Sequence, residues 1–397
     1  MTSVNIDQYN QYMKTNDWLS AKDALAALGI KRQSLYAYVS RGLLRAKPDP
    51  NDPRRSLYST HDVKALEARK RRPRGRADVA AGAIAWGEPV LTSGISTVRD
   101  GQLYFGAERA IDMAESESLE TVAGRHWNVP VSLEAQPLEA IPDKASAKAR
   151  GFSYLAEAAS DAPATLGRTL EALARADAFA LLSGFADAMI GARYQGAIHQ
   201  RLAAHWRLDE RQADFVRRAL VLLSDHELNP STFAVRVAAA TGTSLAGAAL
   251  AGYAALNGPK HGDASTSALH FLREALTASD ISQLVSRYAA QGTYTMGFSH
   301  NLYPAGDPRA ANLLQAIDMP ERLSEILAET TSLTGHAPNI DAALSALAIT
   351  LKLPNDAPFC MFAMARMSGW LGHAIEQVTS GQLIRPRANF VARAKVS

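Results

Sequence analysis

Residues 237–259 read VAAATGTSLAGAALAGYAALNGP, 23 consecutive positions without a charged side chain. About 20 apolar residues are enough to cross a bilayer as a helix. This run is instead dominated by Ala, Gly, Ser and Thr, with too few Leu or Ile to drive insertion. Small side chains let neighbouring helices approach closely, so the run is read as a tightly packed buried helix, with no membrane contact. The same pattern extends outward. Ala-rich amphipathic stretches recur at 145–159, 165–193 and 212–225, and from about residue 108 onward strand signals are scarce. The exception lies earlier, where PVLTSGISTVRDGQLYFG (89–106) places Asp100-Gly101 between two apolar runs, a strong hairpin signal. The expected fold is mainly α, and the lack of a fixed-period repeat argues against a solenoid.

With 397 residues, 47% of them hydrophobic, the chain has ample material for a large core and room for two or three domains. That composition excludes wholesale disorder. The one cysteine, Cys360, excludes an internal disulfide and a cysteine-only zinc cluster, and it fits a reducing compartment. The opening stretch MTSVNIDQYNQYMKTND lacks a basic segment followed by an apolar one, so a cytoplasmic location is expected. The net charge of +3 conceals an asymmetry. Residues 1–76 hold 16 Lys+Arg against 7 Asp+Glu, a net +9, while the remaining 321 hold 26 against 32, a net −6. A basic head on an acidic body suggests two modules, one of which can meet a polyanion.

In the head, Ser20 and Asp23 form a capping box for a first helix, with Ala24, Leu25 and Leu28 as its apolar face. Gly29 supplies a turn. Ile30, Leu35 and Val39 support a second helix that Gly42 ends, and Lys31, Arg32, Gln33 and Ser34 cluster at its start. KPDPNDPRRSLYS (47–59) reads as a turn and a short extended wing, after which Thr60 caps a helix over 61–71. Helix, glycine turn and second helix is the helix-turn-helix pattern, in which the start of the second helix meets base edges. The head resembles the winged helix of mercury-resistance-regulator-type (MerR-like) DNA-binding heads. The expectation is a small winged-helix-like domain over 1–67, a basic linker over 68–87, and DNA contact through residues 17–76. A protein-docking domain is the other reading of the same residues.

The residues suited to chemistry gather after position 220. His226, His261 and His300 sit in polar or glycine-containing segments rather than on apolar helix faces, and Asp341 immediately precedes a helical run. Six segments recur in order: His226-Glu227-Leu228-Asn229; Gly258-Pro259-Lys260-His261-Gly262; Gly297-Phe298-Ser299-His300 with Asp307-Pro308-Arg309; Pro338-Asn339-Ile340-Asp341; Arg366-Met367-Ser368-Gly369-Trp370; and Arg385-Pro386-Arg387. With these motifs, residues 88–397 resemble citrate synthase, of the citrate/2-methylcitrate type.

The resemblance implies a two-domain helical body: a large domain from 88–260 and 365–397, whose C-terminal arm includes Arg385, and a small domain over 261–364. It implies condensation of a short acyl-CoA, acetyl-CoA or propionyl-CoA, with oxaloacetate, followed by thioester hydrolysis. Asp341 would be the base and His261 the donor to the forming enol oxygen. His300 would polarise the keto group. Arg309, Arg366, Arg385 and His226 would hold the oxaloacetate dianion, since guanidinium groups grip carboxylates bidentately. Arg385 would reach the site from a second copy, making a homodimer the minimal active unit. No cofactor or metal is implied, and acyl-CoA is a co-substrate. The competing reading is a DNA-binding transcription regulator whose synthase-like body senses a metabolite; such a body would not need Asp341. The segments also depart from the family pattern. Lys260 precedes His261, Asp263 follows Gly262, and Ser299 and Asn301 flank His300. Lys260 is expected to stabilise negative charge or meet a CoA phosphate, with Asp263 paired to it.

Overall fold

The computed structural model describes residues 18–30, 34–35, 38–39, 44–49, 52–60, 62–63, 66, 91–130, 146–292 and 296–388. The chain divides into two units, residues 1–90 with 389–397, and residues 91–388.

In the first unit, strand β1 (Trp18–Ser20) leads into helix α1 (Ala21–Leu28), followed by β2 (Ala46–Asp49) and β3 (Asp52–Ser59). Ser20 accepts from the Asp23 amide, and Gly29 ends α1 at φ 54°, the left-handed conformation that glycine adopts without a Cβ penalty. The strands form an antiparallel sheet in the order β1-β3-β2. Leu19, Ala24, Leu28, Leu35, Leu44, Tyr58 and Val63 make its core. Ser34 is helical and half-buried; Lys31, Arg32 and Gln33 lie outside the described residues, as does the 68–87 linker.

The second unit opens on the expected hairpin. β4 (Ser96–Arg99) pairs with β5 (Gln102–Phe105) through a turn at Asp100 and Gly101, and a short β6 (Glu108–Arg109) adds to β5. Helices follow: α2 (Ala110–Met113), α3 (Leu119–Trp127), α4 (Ala147–Asp161), α5 (Leu170–Ala172), a π-helical turn (Leu173–Ala178), α6 (Phe179–Ile190), α7 (Ile198–Trp206) and α8 (Glu210–Leu223). Then come α9 (Pro230–Ala239), α10 (Leu245–Leu256), α11 (Ala264–Thr277), α12 (Ile281–Ala289), α13 (Pro308–Ala316), α14 (Glu321–Thr334), α15 (Ile340–Thr350) and α16 (Ala357–Ser380).

The uncharged run at 237–259 is not one helix. It holds the end of α9, a turn at Thr241-Gly242 with Gly242 at φ 81°, and α10, whose first turn Ser244 caps by accepting from the Gly247 amide. The local hydrogen-bonding ability of Thr and Ser and the left-handed glycine defeat a continuous helix here. The burial expected for the whole run is met only in part: Leu245, Ala246, Ala248, Ala249, Gly252, Tyr253 and Leu256 of α10 are buried, whereas Val237, Thr241 and Ala254 are exposed. Among the described residues no helix is long and apolar enough to cross a membrane.

α16 is the axis of this unit. Every residue from Ala357 to Ile375 is buried, and the helix packs against α3, α6, α8, α9, α10, α11 and α15. A helix apolar nearly all round belongs in the interior. Its few polar residues, Arg366, Ser368, His373 and Gln377, must therefore find partners.

Candidate active site

Four helix starts and one helix interior carry the expected residues together. The segment between α8 and α9 presents His226. Asn229 then caps α9, accepting from the amides of Ser231 and Thr232, with Pro230 at the first helical position. The turn between α10 and α11 presents His261. Asp307 caps α13 and Asn339 caps α15, which sets Arg309 and Asp341 each in the first turn of its helix. Arg366 lies inside α16.

The loops bearing His300 and Asp341 are laced to each other. The Asn339 amide donates to Gly297 O (2.8 Å), the Ser299 amide to Ala337 O (3.0 Å), and Asn339 Nδ2 to Ser299 O (3.0 Å). Gly297 holds φ 76°, and a Cβ there would meet Ala342 N at 2.6 Å, so a side chain is excluded. Ser299 also lies at positive φ, 71°.

The two imidazoles of His226 and His300 meet edge to face, with ring centroids 5.1 Å apart. Tyr303 joins them: its hydroxyl lies 2.8 Å from His226 Nε2, and its ring 4.9 Å from that of His300. His300 Nδ1 accepts from the Leu302 amide (3.2 Å), so the proton of the neutral ring is on Nε2. Burial, seconded by Arg309, lowers His300 to about 4, and it drives His226 well below its usual range. Both rings are neutral donors near pH 7.

His261 Nε2 lies 2.7 Å from Ser231 Oγ. That hydroxyl accepts from Trp370 Nε1 (3.1 Å) and has two acceptors in reach, His261 Nε2 and Asn229 Oδ1, the latter also at 2.7 Å. When the serine proton goes to His261, the ring proton is on Nδ1. Burial lowers His261 to about 3, so it too is neutral.

Two buried guanidinium groups flank these rings and are held differently. Arg309 is locked to Asp307 by two bonds, Nε–Oδ1 at 3.0 Å and Nη2–Oδ2 at 2.8 Å, and both side chains are at most 2% exposed. Asp307 also accepts from the Ile340 amide (3.1 Å), which ties α13 to α15. Among the described residues Arg366 bonds no carboxylate. Its Nε donates to Leu223 O (3.0 Å) and its guanidinium lies 4.9 Å from the Phe362 ring. Burial lowers Arg366 to about 10 against the pull of Asp225, so it stays charged at neutral pH.

Asp341 Oδ1 is buried with no hydrogen-bond partner among the described residues. Desolvation, opposed by Arg309 and seconded by Asp307, raises this carboxyl from 3.8 to about 7. A carboxylate base of raised pKa, neutral imidazole donors and two buried cations can take a proton from a weak carbon acid and hold a small anion.

Arg385 is exposed, outside any helix or strand, and among the described residues it joins no group of the site. Lys260 is exposed, and Asp263 pairs with Lys148 (2.5 Å) rather than with Lys260. Lys148 comes from α4, 115 residues away, a pairing that local sequence could not reveal. Sequence reasoning also missed Tyr303, Ser231 and Asp307 as members of the cluster. Asp307 stood inside a quoted motif, and Asn229-Pro230-Ser231 is a helix-start signature. Nothing local marked Tyr303.

Behind the site, Asp225 accepts from Ser96 Oγ, whose oxygen in turn accepts from the Glu227 amide (2.8 Å). Glu227 holds φ 49°, a left-handed turn that this clamp secures next to His226. His373 Nε2 lies 3.3 Å from Asp225 Oδ2. Burial alone would raise Asp225, but His373 with His126 and Arg366 brings it down to about 2.

Residues 147–387 match the family model of the citrate synthase C-terminal domain. The chain is 33% identical over 197 residues to citrate synthase 2 of Bacillus subtilis, covering 46% of this chain and 52% of that one. It is 35% identical over 185 residues to the citrate/2-methylcitrate synthase of the same organism, covering 44% and 50%. The chain thus spans about half the length of these curated relatives. Among solved structures it is similar to citrate synthase of Thermoplasma acidophilum in ternary complex with carboxymethyl coenzyme A and oxaloacetate (TM-score 0.61, 22% identity, 78% of this chain and 95% of that one). It is equally similar to citrate synthase of Thermotoga maritima (TM-score 0.61, 23% identity, 78% and 96%).

Proposed function

This chain belongs to the citrate synthase family, and from that premise we propose that it condenses a short acyl-CoA, acetyl-CoA or propionyl-CoA, with oxaloacetate and then hydrolyses the thioester. The observation that carries the reading is Asp341, a buried carboxyl raised to about 7, with an unpartnered oxygen, beside two buried arginines. In the first step Asp341 takes a proton from the carbon next to the thioester carbonyl. His261 Nδ1–H donates to the carbonyl oxygen as it gains enol character, with Ser231 giving its proton to Nε2. The enol carbon then attacks the keto carbon of oxaloacetate, and His300 Nε2–H gives its proton to the oxygen that becomes the hydroxyl. Arg309, Arg366 and His226 hold the dianion. Arg385 of a second copy completes the set, which makes a homodimer the working unit. Acyl-CoA enters as co-substrate, and the chemistry calls for no bound cofactor or metal.

Residues 261–364 would act as the small domain, closing on the large one to exclude water while the enol exists. The test is release of free thiol from acetyl-CoA or propionyl-CoA when oxaloacetate is present. Release is expected with at least one; none from either at high enzyme concentration overturns the reading.

For the head we propose a winged helix-turn-helix that contacts DNA, in a cytoplasmic protein. The capped α1, the left-handed Gly29 and the antiparallel β1-β3-β2 sheet support it. Retention of Asp341 favours an enzyme over a purely metabolite-sensing regulator. Binding of the full chain to genomic DNA fragments near physiological salt tests the head. Affinity indifferent to sequence and collapsing with salt counts against a specific site.

A further inference from the structure

Tyr303 has no part in the chemistry above, yet it lies at the centre of the cluster. It is 3% exposed, its ring meets both His226 and His300, and the Arg309 guanidinium lies 5.3 Å from it. Its hydroxyl has one hydrogen-bond partner among the described residues, His226 Nε2 at 2.8 Å. A buried phenol proton needs an acceptor, and this nitrogen is the one within reach. Nε2 therefore accepts, and the single proton of the neutral His226 ring is held on Nδ1. We propose that Tyr303 is a positioning residue of this site, fixing the tautomer of His226 so that Nδ1–H is the donor offered to the substrate carboxylate.

The inference rests on the oxaloacetate reading for the identity of the carboxylate, but not for the tautomer. Tyr303→Phe keeps the ring and its packing and removes only the hydroxyl. Without that donor the imidazole is free to shift its proton to Nε2, which faces no substrate donor role, and some of the population loses the contact to the anion. A hydrogen bond to a charged group is worth enough to weaken oxaloacetate about tenfold, while acyl-CoA, which Tyr303 does not serve, should change less than twofold in KM.

The test pairs nitrogen-15 spectra of the histidine rings, with His226 assigned through His226→Asn, with calorimetric titration of oxaloacetate, in wild type and Tyr303→Phe. The expected result is a His226 ring protonated on Nδ1 in wild type, a shift toward Nε2 protonation in Tyr303→Phe, and the tenfold loss of oxaloacetate affinity. Wild-type His226 protonated on Nε2, or a ring state unchanged by Tyr303→Phe, overturns the proposal whatever the activity. The expected shift in a protein whose wild type fails to bind oxaloacetate supports the tautomer assignment and overturns the substrate reading instead. A loss of oxaloacetate and acyl-CoA affinity alike would mark a general packing role and also overturn the proposal.

Discussion

A carboxyl buried beside two guanidinium groups feels opposing forces, and at Asp341 burial prevails: the group rises to about 7 instead of falling. The consequence for rate follows from the role of a base, which must be ionised. In the acyl-CoA reaction kcat/KM should climb with pH and level off above about 7, where the Asp341 proton is gone; a pH–rate profile checks this. Asp341→Asn should lower kcat by at least about a hundredfold, the scale of general-base catalysis, while oxaloacetate still binds. The consequence for stability has the opposite sign. Because the folded pKa lies above the unfolded one, ionising Asp341 costs the native state stability as pH rises from about 4 through 7. Asn carries no such charge. The variant should therefore melt above wild type at pH 8, with the gap closing as pH falls toward 4, by thermal unfolding at each pH.

Between elements, the lacing of the 296–300 and 337–341 loops decides whether His300 and Asp341 share a site. Gly297→Ala would force a Cβ into 2.6 Å of Ala342 N at a left-handed φ, and neither loop can yield without breaking the Asn339 bonds. Strain of this kind costs about 1–3 kcal/mol. We expect a lower denaturation midpoint together with a kcat loss larger than stability alone explains, read by urea unfolding and steady-state kinetics. Much of the element level was legible beforehand, because helix starts are written locally. Ser20 caps α1 and Asp100-Gly101 turns the hairpin, both as expected. The break inside 237–259 was missed because composition announces burial, whereas Thr241, Gly242 and Ser244 settle helix continuity. What the sequence could not reveal are contacts between distant segments. Ser96 reaches Asp225 across 129 residues and Trp370 reaches Ser231 across 139. Tyr303 acquires meaning only once it lies against His226.

For the whole molecule, the exposed Arg385 is the proposed substrate-binding residue that a single copy leaves apart from the others. If it serves a second copy, two defective proteins should repair each other. Asp341→Asn and Arg385→Ala are each expected to be inactive alone. In a hybrid of the two, one site pairs an intact Asp341 with an intact Arg385. Random exchange makes half the dimers hybrid, with one good site of two, so a mixture should recover about a quarter of wild-type turnover. No recovery after demonstrated subunit exchange would confine Arg385 to its own chain. The division of charge along the sequence separates two proposals: the cations assigned to the substrate belong to the acidic body, and the contact proposed for DNA belongs to the basic head.

Asp307 already neutralises Arg309, and of the two buried arginines of the site Arg366 bonds no carboxylate among the described residues. In the proposed shared site, a dianion in a lone copy would meet too little positive charge, and Arg385 of a second copy would supply the rest. Ligand and partner would then reinforce one another: whatever factor a second copy added to the grip on oxaloacetate, oxaloacetate would add to the grip between copies. On that proposal the assembly would, through one neutralised arginine, report how much metabolite surrounds it.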